Sequence, residues 1–385
     1  MQNAPAYQGT DGRDRLVALS HLRWDFVFQR PQHLLTRASR DYRVSFIEEP
    51  VFEGTNFDVR RLNRGGVTVV QPVVPEGSAP DAVEAHELAV IAAECAKGAA
   101  RLVLWFYSPM FAPTLGVVSP DAIVFDKMDE LSAFAFAPAG LRAREAEVVA
   151  AADVVFTGGQ AMFEAAQGRH PNLHCFPSSI DTAHFARARE RALPDPADQA
   201  NIAHPRIGFF GVIDERIDLD LIAATAALKP DWQFLFLGPT AKIDPASLPQ
   251  APNIHWLGSK KYADLPAYLA HWDAGWMPFA MNDATKFISP TKTPEFLAAG
   301  LPVVSTPITD VVRPYGVDGL VWIASTPEQA VALLERCLTP QSDNWRTRVD
   351  ARLALGSWDR TWDAMRGLIE DALAATTPHK ESEYV

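Results

Sequence analysis

The segment of the sequence with the clearest chemistry is residues 285–306, which read TKFISPTKTPEFLAAGLPVVST. Two Ser/Thr-Pro pairs, at Ser289 and Thr293, are typical of helix N-termini, and the second stands directly before an apolar run. A short helix is therefore predicted to begin within residues 291–294. Gly300 follows as the residue past its end, and a buried strand comes next.

This predicted helix start carries charged side chains suited to a nucleotide. The unpaired backbone N–H groups of a helix N-terminus bind phosphate, and Lys292 adds a full positive charge beside them. Glu295 lies three residues further on, where its carboxylate can accept hydrogen bonds from ribose hydroxyls. The alternative interpretation is a capped helix with one exposed lysine and one exposed glutamate.

Three carboxylates form a second candidate site directly after a predicted strand at residues 122–125. They belong to Asp126, Asp129 and Glu130. A carboxylate at a strand end that faces a cleft can take a proton from an acceptor hydroxyl. Asp129 is the preferred base, because Asp126 lies closer to the strand and Glu130 closer to the next helix. The alternative is that Asp129 caps that helix.

Residues 20–33, after the first predicted strand, mix aromatic side chains with polar ones that are costly to bury unpaired. Such a loop suits carbohydrate, since the apolar faces of sugar rings stack on aromatic rings and the hydroxyls need polar partners. The alternative is a surface loop whose aromatic residues close the edge of the domain. The residues predicted to bind an acceptor are Trp24, Arg30, Gln32 and His33.

These candidates are positioned by strands and helices that alternate along almost the whole chain. One alternating unit is predicted at residues 14–190 and a second at 204–357, joined by a polar, proline-containing linker. A last amphipathic helix is predicted at 358–380. The alternation indicates an α/β fold with two doubly wound parallel sheets. Ligands bind such folds at the carboxyl ends of the strands, here in an interdomain cleft.

Composition excludes several other classes of protein. The 385 residues carry a formal net charge of −12, which argues against nonspecific binding of nucleic acid. Cys95, Cys175 and Cys337 have no metal-ligand spacing and favour a reducing compartment. The N-terminus has no signal-peptide pattern and no apolar run is long enough to span a bilayer, so we expect a cytoplasmic protein. Dinucleotide, P-loop, serine-hydrolase and zinc-protease motifs are also missing from the sequence.

Several motifs resemble those of group 1 glycosyltransferases, whose B-type fold has two facing Rossmann-like domains. The segment SPTKTPEFLAAGLPVVST resembles their nucleotide-sugar signature, and RIGFFGVIDE at 206–215 resembles the glycine loop that opens their C-terminal domain. The N-terminal SHLRWDFVFQRPQHLL and VFDKMDELSAF resemble a subset linked to bacterial surface-polysaccharide synthesis, including teichuronic acid transferases. The resemblance extends from about residue 15 to residue 375.

The resemblance implies a metal-independent site for a nucleoside-diphosphate sugar, with His21 as the alternative base. One departure is Phe287, which stands where the family usually has a glutamate eight residues before Glu295. Lys286 is among the polar residues that can replace its sugar contacts. The implied nucleotide-sugar site consists of Gly211, Arg216, Gly238, Gly258, Tyr262, Lys286, Ser289, Thr291, Lys292 and Glu295.

The implied function is transfer of a sugar from a UDP-sugar to a glycan or lipid-linked glycan in surface-polysaccharide synthesis. No cofactor beyond the donor is expected, because basic residues and a helix dipole stabilise the departing diphosphate. Peripheral contact with the inner face of the membrane is left open. Two alternatives share the fold and the diphosphate site: a nucleotide-sugar 2-epimerase, and a noncatalytic protein that binds nucleotide sugars.

Overall fold

Two largely parallel sheets, one in each half of the chain, organise the fold. The computed structural model describes residues 12–135, 137–190 and 192–376. The N-terminal half has strands β1 (Arg15–Ser20), β2 (Arg43–Glu48), β3 (Val51–Phe52), β4 (Asp58–Arg64), β5 (Val67–Val74), β6 (Leu102–Phe106), β7 (Ala122–Lys127), β8 (Val154–Thr157) and β9 (Leu173–Cys175). Its helices are α1 (Arg30–Ala38), α2 (Pro80–Cys95), α3 (Leu141–Ala151), α4 (Gln160–Ala166) and α5 (Thr182–Ala186).

The N-terminal sheet runs in the order β3-β5-β2-β1-β6-β7-β8-β9, and β4 pairs antiparallel with β5. Its central strand β1 is buried on both faces: Leu16 and Ala18 pack in one hydrophobic cluster, Val17 and Leu19 in another. This is the burial expected for a parallel strand covered by helices on both sides. The predicted α/β fold class is confirmed for this half.

The C-terminal half repeats the plan with a sheet in the order β12-β11-β10-β13-β14-β15, whose paired strands run parallel. These strands are β10 (Arg206–Phe210), β11 (Gln233–Leu237), β12 (Ile254–Gly258), β13 (Ala274–Met277), β14 (Val303–Ser305) and β15 (Trp322–Ile323). The helices are α6 (Leu219–Leu228), α7 (Leu265–Leu269), α8 (Lys292–Ala298), α9 (Thr309–Val311), α10 (Pro327–Cys337) and α11 (Asp343–Leu353).

The last helix, α12 (Trp358–Thr376), returns to the N-terminal half. The Trp362 indole Nε1 donates to Asp41 Oδ2 at 3.0 Å, and the Arg366 guanidinium pairs with the same carboxylate at 2.9 Å. Trp358 stacks on His33 with ring centroids 4.6 Å apart. Among the described residues, no helix combines the length and the apolar character that crossing a membrane requires.

The sequence pattern missed three strands at the edges of the N-terminal sheet: β3, which has only two residues, β4 and β9. Strand β4 reads DVRRLNR, and its charged side chains hide the period-2 alternation because most of them face solvent. Strand β9 has only three residues, all partly exposed. Edge strands bury less apolar surface than central strands, so their sequences carry a weaker signal.

The two halves contact each other on the side where α4 approaches α9. The Asp310 carboxylate accepts hydrogen bonds from the backbone N–H groups of Gln160, at 2.7 Å, and Ala161, at 3.0 Å. Arg313 pairs with Glu164 at 2.8 Å. The Asp310 carboxylate thus provides the hydrogen-bond acceptors for the first turn of α4, whose own N-cap residue makes no side-chain cap bond. This contact borders the candidate site, since Gly158 and Ser289 beside it line the same cavity.

Candidate functional site

Closely packed glycines form the floor of the cleft, where β10, β11 and β12 end. The Gly211 N–H donates to the Leu237 carbonyl at 2.8 Å, and the Gly238 N–H donates to the Gly258 carbonyl at 2.9 Å. A Cβ at Gly238 would overlap the Gly211 carbonyl oxygen, and the φ of Gly238 is 147°. Only glycine allows the strand ends to approach this closely at that backbone angle.

Lys292 is the first residue of α8 and lies partly buried across this floor. A Cβ on Gly211 would come within 2.8 Å of Lys292 Cε, so glycine at 211 leaves room for the lysine stem. Burial lowers the pKa of Lys292, and the negative charge of Glu295 opposes that shift. The predicted cap at Thr293 is wrong: Thr291 precedes the helix, and the buried Thr293 Oγ1 instead lies 3.6 Å from Met277 Sδ.

Arg216 stands opposite Lys292 and is held in place by Asp214. Its Nε and terminal nitrogen donate to the two carboxylate oxygens at 2.9 and 2.7 Å. Such a two-point pair fixes the plane of the guanidinium. The sequence interpretation missed Asp214, although a carboxylate two residues before a predicted cation was a usable signal. The Phe134 ring, from the N-terminal half, lies 5.5 Å from the Arg216 guanidinium carbon.

Asp129 completes this group from the N-terminal half of the chain. Asp129, Arg216 and Lys292 line one cavity of about 110 Å³, which we call the inner cavity. Burial raises the pKa of Asp129, and the charges of Arg216 and Lys292 oppose the rise. No side chain in the described ranges donates a hydrogen bond to its carboxylate. Asp129 does not cap the following turn either, since Glu130 precedes that turn and no side-chain cap bond forms.

Asp126 and Arg30, which the sequence assigned to catalysis and acceptor binding, bind each other instead. Arg30 donates to both oxygens of the Asp126 carboxylate at 2.9 and 2.8 Å, and its third nitrogen donates to the Phe176 carbonyl at 2.7 Å. Both side chains are almost fully buried. A buried carboxylate with a two-point arginine partner is not available as a base, so this pair has a structural role.

Of the remaining predicted acceptor residues, Gln32 and His33 make their contacts within the protein, whereas Trp24 lines the cavity of about 420 Å³ described below. Gln32 Nε2 donates to the Trp24 and Val27 carbonyls at 2.7 and 3.1 Å, which fixes the loop before α1. His33 is buried against Trp358, and this burial lowers its pKa to about 3. Trp24 is 8% exposed. The prediction that these polar groups bind an acceptor is wrong for Gln32 and His33, because their contacts are made within the protein.

His21, unlike Asp129, is not among the residues that line the inner cavity. Its Nδ1 is buried without a hydrogen-bond partner among the described residues. Burial, and secondly the positive charge of Lys242, lower the pKa of His21 to about 4. The imidazole is therefore neutral at pH 7.

A second cavity of about 420 Å³, the outer cavity, adjoins the inner one through Thr291 and Lys292, which line both. Glu295 is 6% exposed at its wall, and burial raises its pKa to about 7 against the opposing charge of Lys292. Tyr262 lies on another wall, stacked between Phe28 at 4.5 Å and His184 at 4.3 Å. Its hydroxyl is buried and has no partner among the described residues.

Of two further predicted nucleotide-sugar residues, Ser289 and Lys286, only the first lines one of these cavities. Ser289 lines the inner cavity, and its carbonyl accepts a hydrogen bond from Ser178 Oγ at 2.6 Å. Lys286 does not lie in either cavity: it is exposed and its Nζ lies 5.3 Å from the Phe287 ring. The structure adds Lys260 and Lys261 to the outer cavity. Their adjacent positive charges, which begin two residues after Gly258, were the signal that sequence reasoning overlooked.

The described residues contain no cluster of three or more His, Cys, Asp or Glu side chains arranged to hold a metal ion. The charged side chains that line the inner cavity are Arg216 and Lys292 from the C-terminal half, and Asp129 and Arg30 from the N-terminal half. Arg30 is already paired with Asp126. This arrangement can neutralise an anionic leaving group and accept a proton beside it.

Comparisons with known proteins agree with this geometry. Residues 204–339 match the family model described as glycosyl transferases group 1. The chain is 26% identical over 249 residues to TuaH of Bacillus subtilis (strain 168), which bears the provisional name of a teichuronic acid biosynthesis glycosyltransferase. That alignment covers 60% of this chain and 62% of the relative, so it spans less than two thirds of TuaH.

Solved structures extend the likeness to nearly the whole chain. The UDP-forming α,α-trehalose-phosphate synthase of Burkholderia vietnamiensis has a TM-score of 0.68 at 14% identity, covering 94% of this chain and 99% of that one. Sucrose-phosphate synthase of Thermosynechococcus elongatus scores 0.66 at 15% identity, with 94% and 100% covered. Anabaena Alr3699/HepE, in complex with UDP and glucose, scores 0.64 at 13% identity, with 92% and 99% covered.

At these identities the solved structures establish the architecture alone, and the family model covers residues 204–339. Both agree with the resemblance seen in the sequence. The chain has the B-type fold of two Rossmann-like domains, and its residues 204–339 match the model of the group 1 glycosyl transferases.

Proposed function

We propose that the protein is a glycosyltransferase that takes a sugar from a nucleoside-diphosphate sugar, a UDP-sugar in the first place, and transfers it to a glycan or lipid-linked acceptor. The observation that carries this proposal is the meeting of Asp129, Arg216 and Lys292 in the inner cavity. Glu295 stands in the adjoining outer cavity, which is the larger of the two and suits a nucleoside. The diphosphate would lie between them, along Lys292.

The chemistry follows from the position of the charges. As the bond between the anomeric carbon and the diphosphate oxygen breaks, its electron pair passes to that oxygen, where Arg216 and Lys292 stabilise the negative charge. The acceptor oxygen forms the new bond to the anomeric carbon, and its proton passes to Asp129. We propose that these two cations do this without a metal ion.

The relatives support the details of the proposal. TuaH carries the name of a teichuronic acid biosynthesis enzyme, which favours a role in surface-polysaccharide synthesis. The trehalose-phosphate synthase is named as UDP-forming, and Alr3699/HepE was solved with UDP and glucose, which favours a uridine nucleotide. We propose that the enzyme acts in the cytoplasm.

Incubation with UDP-glucose and other UDP-sugars tests the proposal. Without acceptor, the enzyme is expected to release UDP slowly as water replaces the acceptor hydroxyl, and excess chelator is expected to leave that rate unchanged. An epimerised sugar would instead identify the 2-epimerase, and binding without turnover a noncatalytic protein. A rate abolished by the chelator and restored by a divalent metal would contradict the metal-independent mechanism.

Glu295 predicts how donor affinity depends on pH. Its carboxylate must be ionised to accept hydrogen bonds from both ribose hydroxyls, and its pKa is raised to about 7 by burial. UDP-glucose affinity is therefore expected to fall as the pH drops from 8 to 5.5, by about 30-fold if only the ionised carboxylate of this pKa binds the ribose. UDP-glucose is a suitable probe because its diphosphate diester stays fully ionised over this range.

Calorimetric titration of UDP-glucose at several pH values measures this dependence, and Glu295→Gln is the matched variant. The glutamine keeps the shape of the side chain but does not titrate, so its affinity should be weaker at pH 8 and nearly independent of pH. Equal pH dependence in both proteins would show that Glu295 does not contact the ribose.

A further inference from the structure

A third cavity opens on the other side of the inner cavity and has no role in the proposed donor site. This lateral groove, of about 570 Å³, is lined by helices α3 and α4 of the N-terminal domain and by residues 283–287 of the C-terminal domain. The groove adjoins the inner cavity, because residues that are neighbours in the sequence line the two cavities. Glu130 lines the groove and Asp129 the inner cavity; Phe287 lines the groove and Ile288 the inner cavity.

The floor of the lateral groove has its charges internally paired. Lys127 is 6% exposed and its Nζ lies 2.7 Å from the Glu130 carboxylate and 2.5 Å from the Glu145 carboxylate. The Glu130 carboxylate also accepts a hydrogen bond from Ser132 Oγ at 2.6 Å. These groups satisfy one another and leave the floor rigid and polar.

The rim of the groove differs, because its cations have no carboxylate partner in the described ranges. They are Arg142 on α3, Arg169 after α4 and Lys286 from the C-terminal domain, and all three are exposed. Arg142 Nε reaches only the neutral Ser132 Oγ, at 3.4 Å. Asp283 is the one unpaired carboxylate on the same rim.

This cluster of cations stands out against the rest of the surface. The chain carries a net charge of −12, and many of its exposed arginines are paired with carboxylates, such as Arg64 with Asp25 and Arg313 with Glu164. Three unpaired cations that converge from both domains on one groove therefore mark a place where an anion is accommodated. Arginine side chains bind carboxylate and phosphate through two parallel N–H groups.

We propose that the lateral groove binds an anionic segment of the acceptor glycan, with carboxylate or phosphate groups contacted by Arg142, Arg169 and Lys286. This inference rests on the proposed glycosyltransferase function and assigns its acceptor to a chemical class. A glycan chain lying in the groove presents its end to Asp129, at the point where the groove meets the inner cavity. Contact with both domains would also favour the closed cleft when the acceptor is bound.

Fluorescence polarisation of labelled oligosaccharides, measured in the presence of UDP, tests the proposal. The probes are an oligogalacturonate, an oligo(glycerol phosphate) and a neutral cello-oligosaccharide of matched length. At least one anionic probe is expected to bind more tightly than the neutral one, and added salt should weaken that binding. The two anionic probes distinguish carboxylate from phosphate as the recognised group.

The triple variant Arg142→Gln/Arg169→Gln/Lys286→Gln should weaken binding of the preferred anionic probe by about tenfold, as expected for three exposed ion pairs. The matched control is Arg346→Gln/Arg348→Gln/Arg360→Gln, which removes the same charge from exposed positions on α11 and α12 and should leave that binding unchanged.

Two outcomes would overturn the proposal: equal binding of neutral and anionic probes, or equal weakening by the two triple variants. Lys286 was predicted to contact the donor sugar, which UDP lacks, and it lines neither donor cavity, so the groove triple is expected to keep the UDP affinity of the unmodified protein. If UDP binds and turnover of a UDP-sugar occurs while anionic probes fail, the proposed function stands and this inference does not. If UDP itself fails to bind, the proposed function is at fault.

Discussion

Replacing Asp129 by asparagine is expected to slow sugar transfer by about 10²–10⁴-fold, the usual contribution of a general base. The Asp129 carboxylate lines the inner cavity beside Arg216 and Lys292, and in the proposed mechanism it stands next to the bond that breaks. An asparagine of the same shape cannot accept the acceptor's proton. Turnover is measured with saturating UDP-sugar, and donor affinity is measured separately by calorimetry.

The sign of the affinity change separates catalysis from a purely structural role. Asp129 is a negative charge near the site proposed for the diphosphate, so Asp129→Asn should leave UDP affinity unchanged or make it tighter. If Asp129 served only to orient Arg216 and Lys292, the same variant would weaken UDP binding and turnover together. That result would remove Asp129 from the proton transfer.

His21→Ala is the comparison that tests the alternative base. His21 is neutral at pH 7, since burial lowers its pKa to about 4, but it does not line the inner cavity. Its replacement is therefore expected to affect turnover much less than Asp129→Asn does. Near-normal turnover in Asp129→Asn, together with loss of turnover in His21→Ala at unchanged UDP affinity, would exchange the two assignments.

Replacing Lys292 by alanine is expected to cost about 1.5–3 kcal/mol of UDP affinity, as for a hydrogen bond to a charged group. Lys292 is shared by the inner and outer cavities and lies against the glycine floor, where a diphosphate would pass. Its removal also leaves Glu295 without the positive charge that opposes the rise in its pKa. Calorimetric titration with UDP at pH 8, above the Glu295 pKa of about 7 in the unmodified protein, measures the effect.

Lys229→Ala is the matched control for this experiment. Lys229 belongs to the same domain and pairs with Glu335 at 2.8 Å on the surface, away from both cavities. Its removal should leave UDP affinity unchanged. Unchanged affinity in Lys292→Ala as well would mean that the diphosphate lies elsewhere, and the donor site would have to be reassigned.

The acceptor loop shows where prediction from the sequence failed. Residues 20–33 carry the residue types that suit a sugar, and the prediction placed Arg30, Gln32 and His33 in contact with one. Their partners in the structure are Asp126, two loop carbonyls and Trp358. Arg30 and Asp126 are 96 residues apart in the chain, so no local pattern reveals that they neutralise each other.

The amino-acid sequence alone determined the main strands and helices of two α/β domains and several of the residues that line the candidate donor site. Those features depend on local periodicity, on glycines at strand ends and on the segment from Ser289 to Glu295, all of which are readable within a few residues. The tertiary structure decided which charges meet. It buried Asp126 against Arg30, and it brought Asp129 to Arg216 and Lys292 from the other domain. A side chain's protonation and availability depend on partners and burial that only the folded chain supplies.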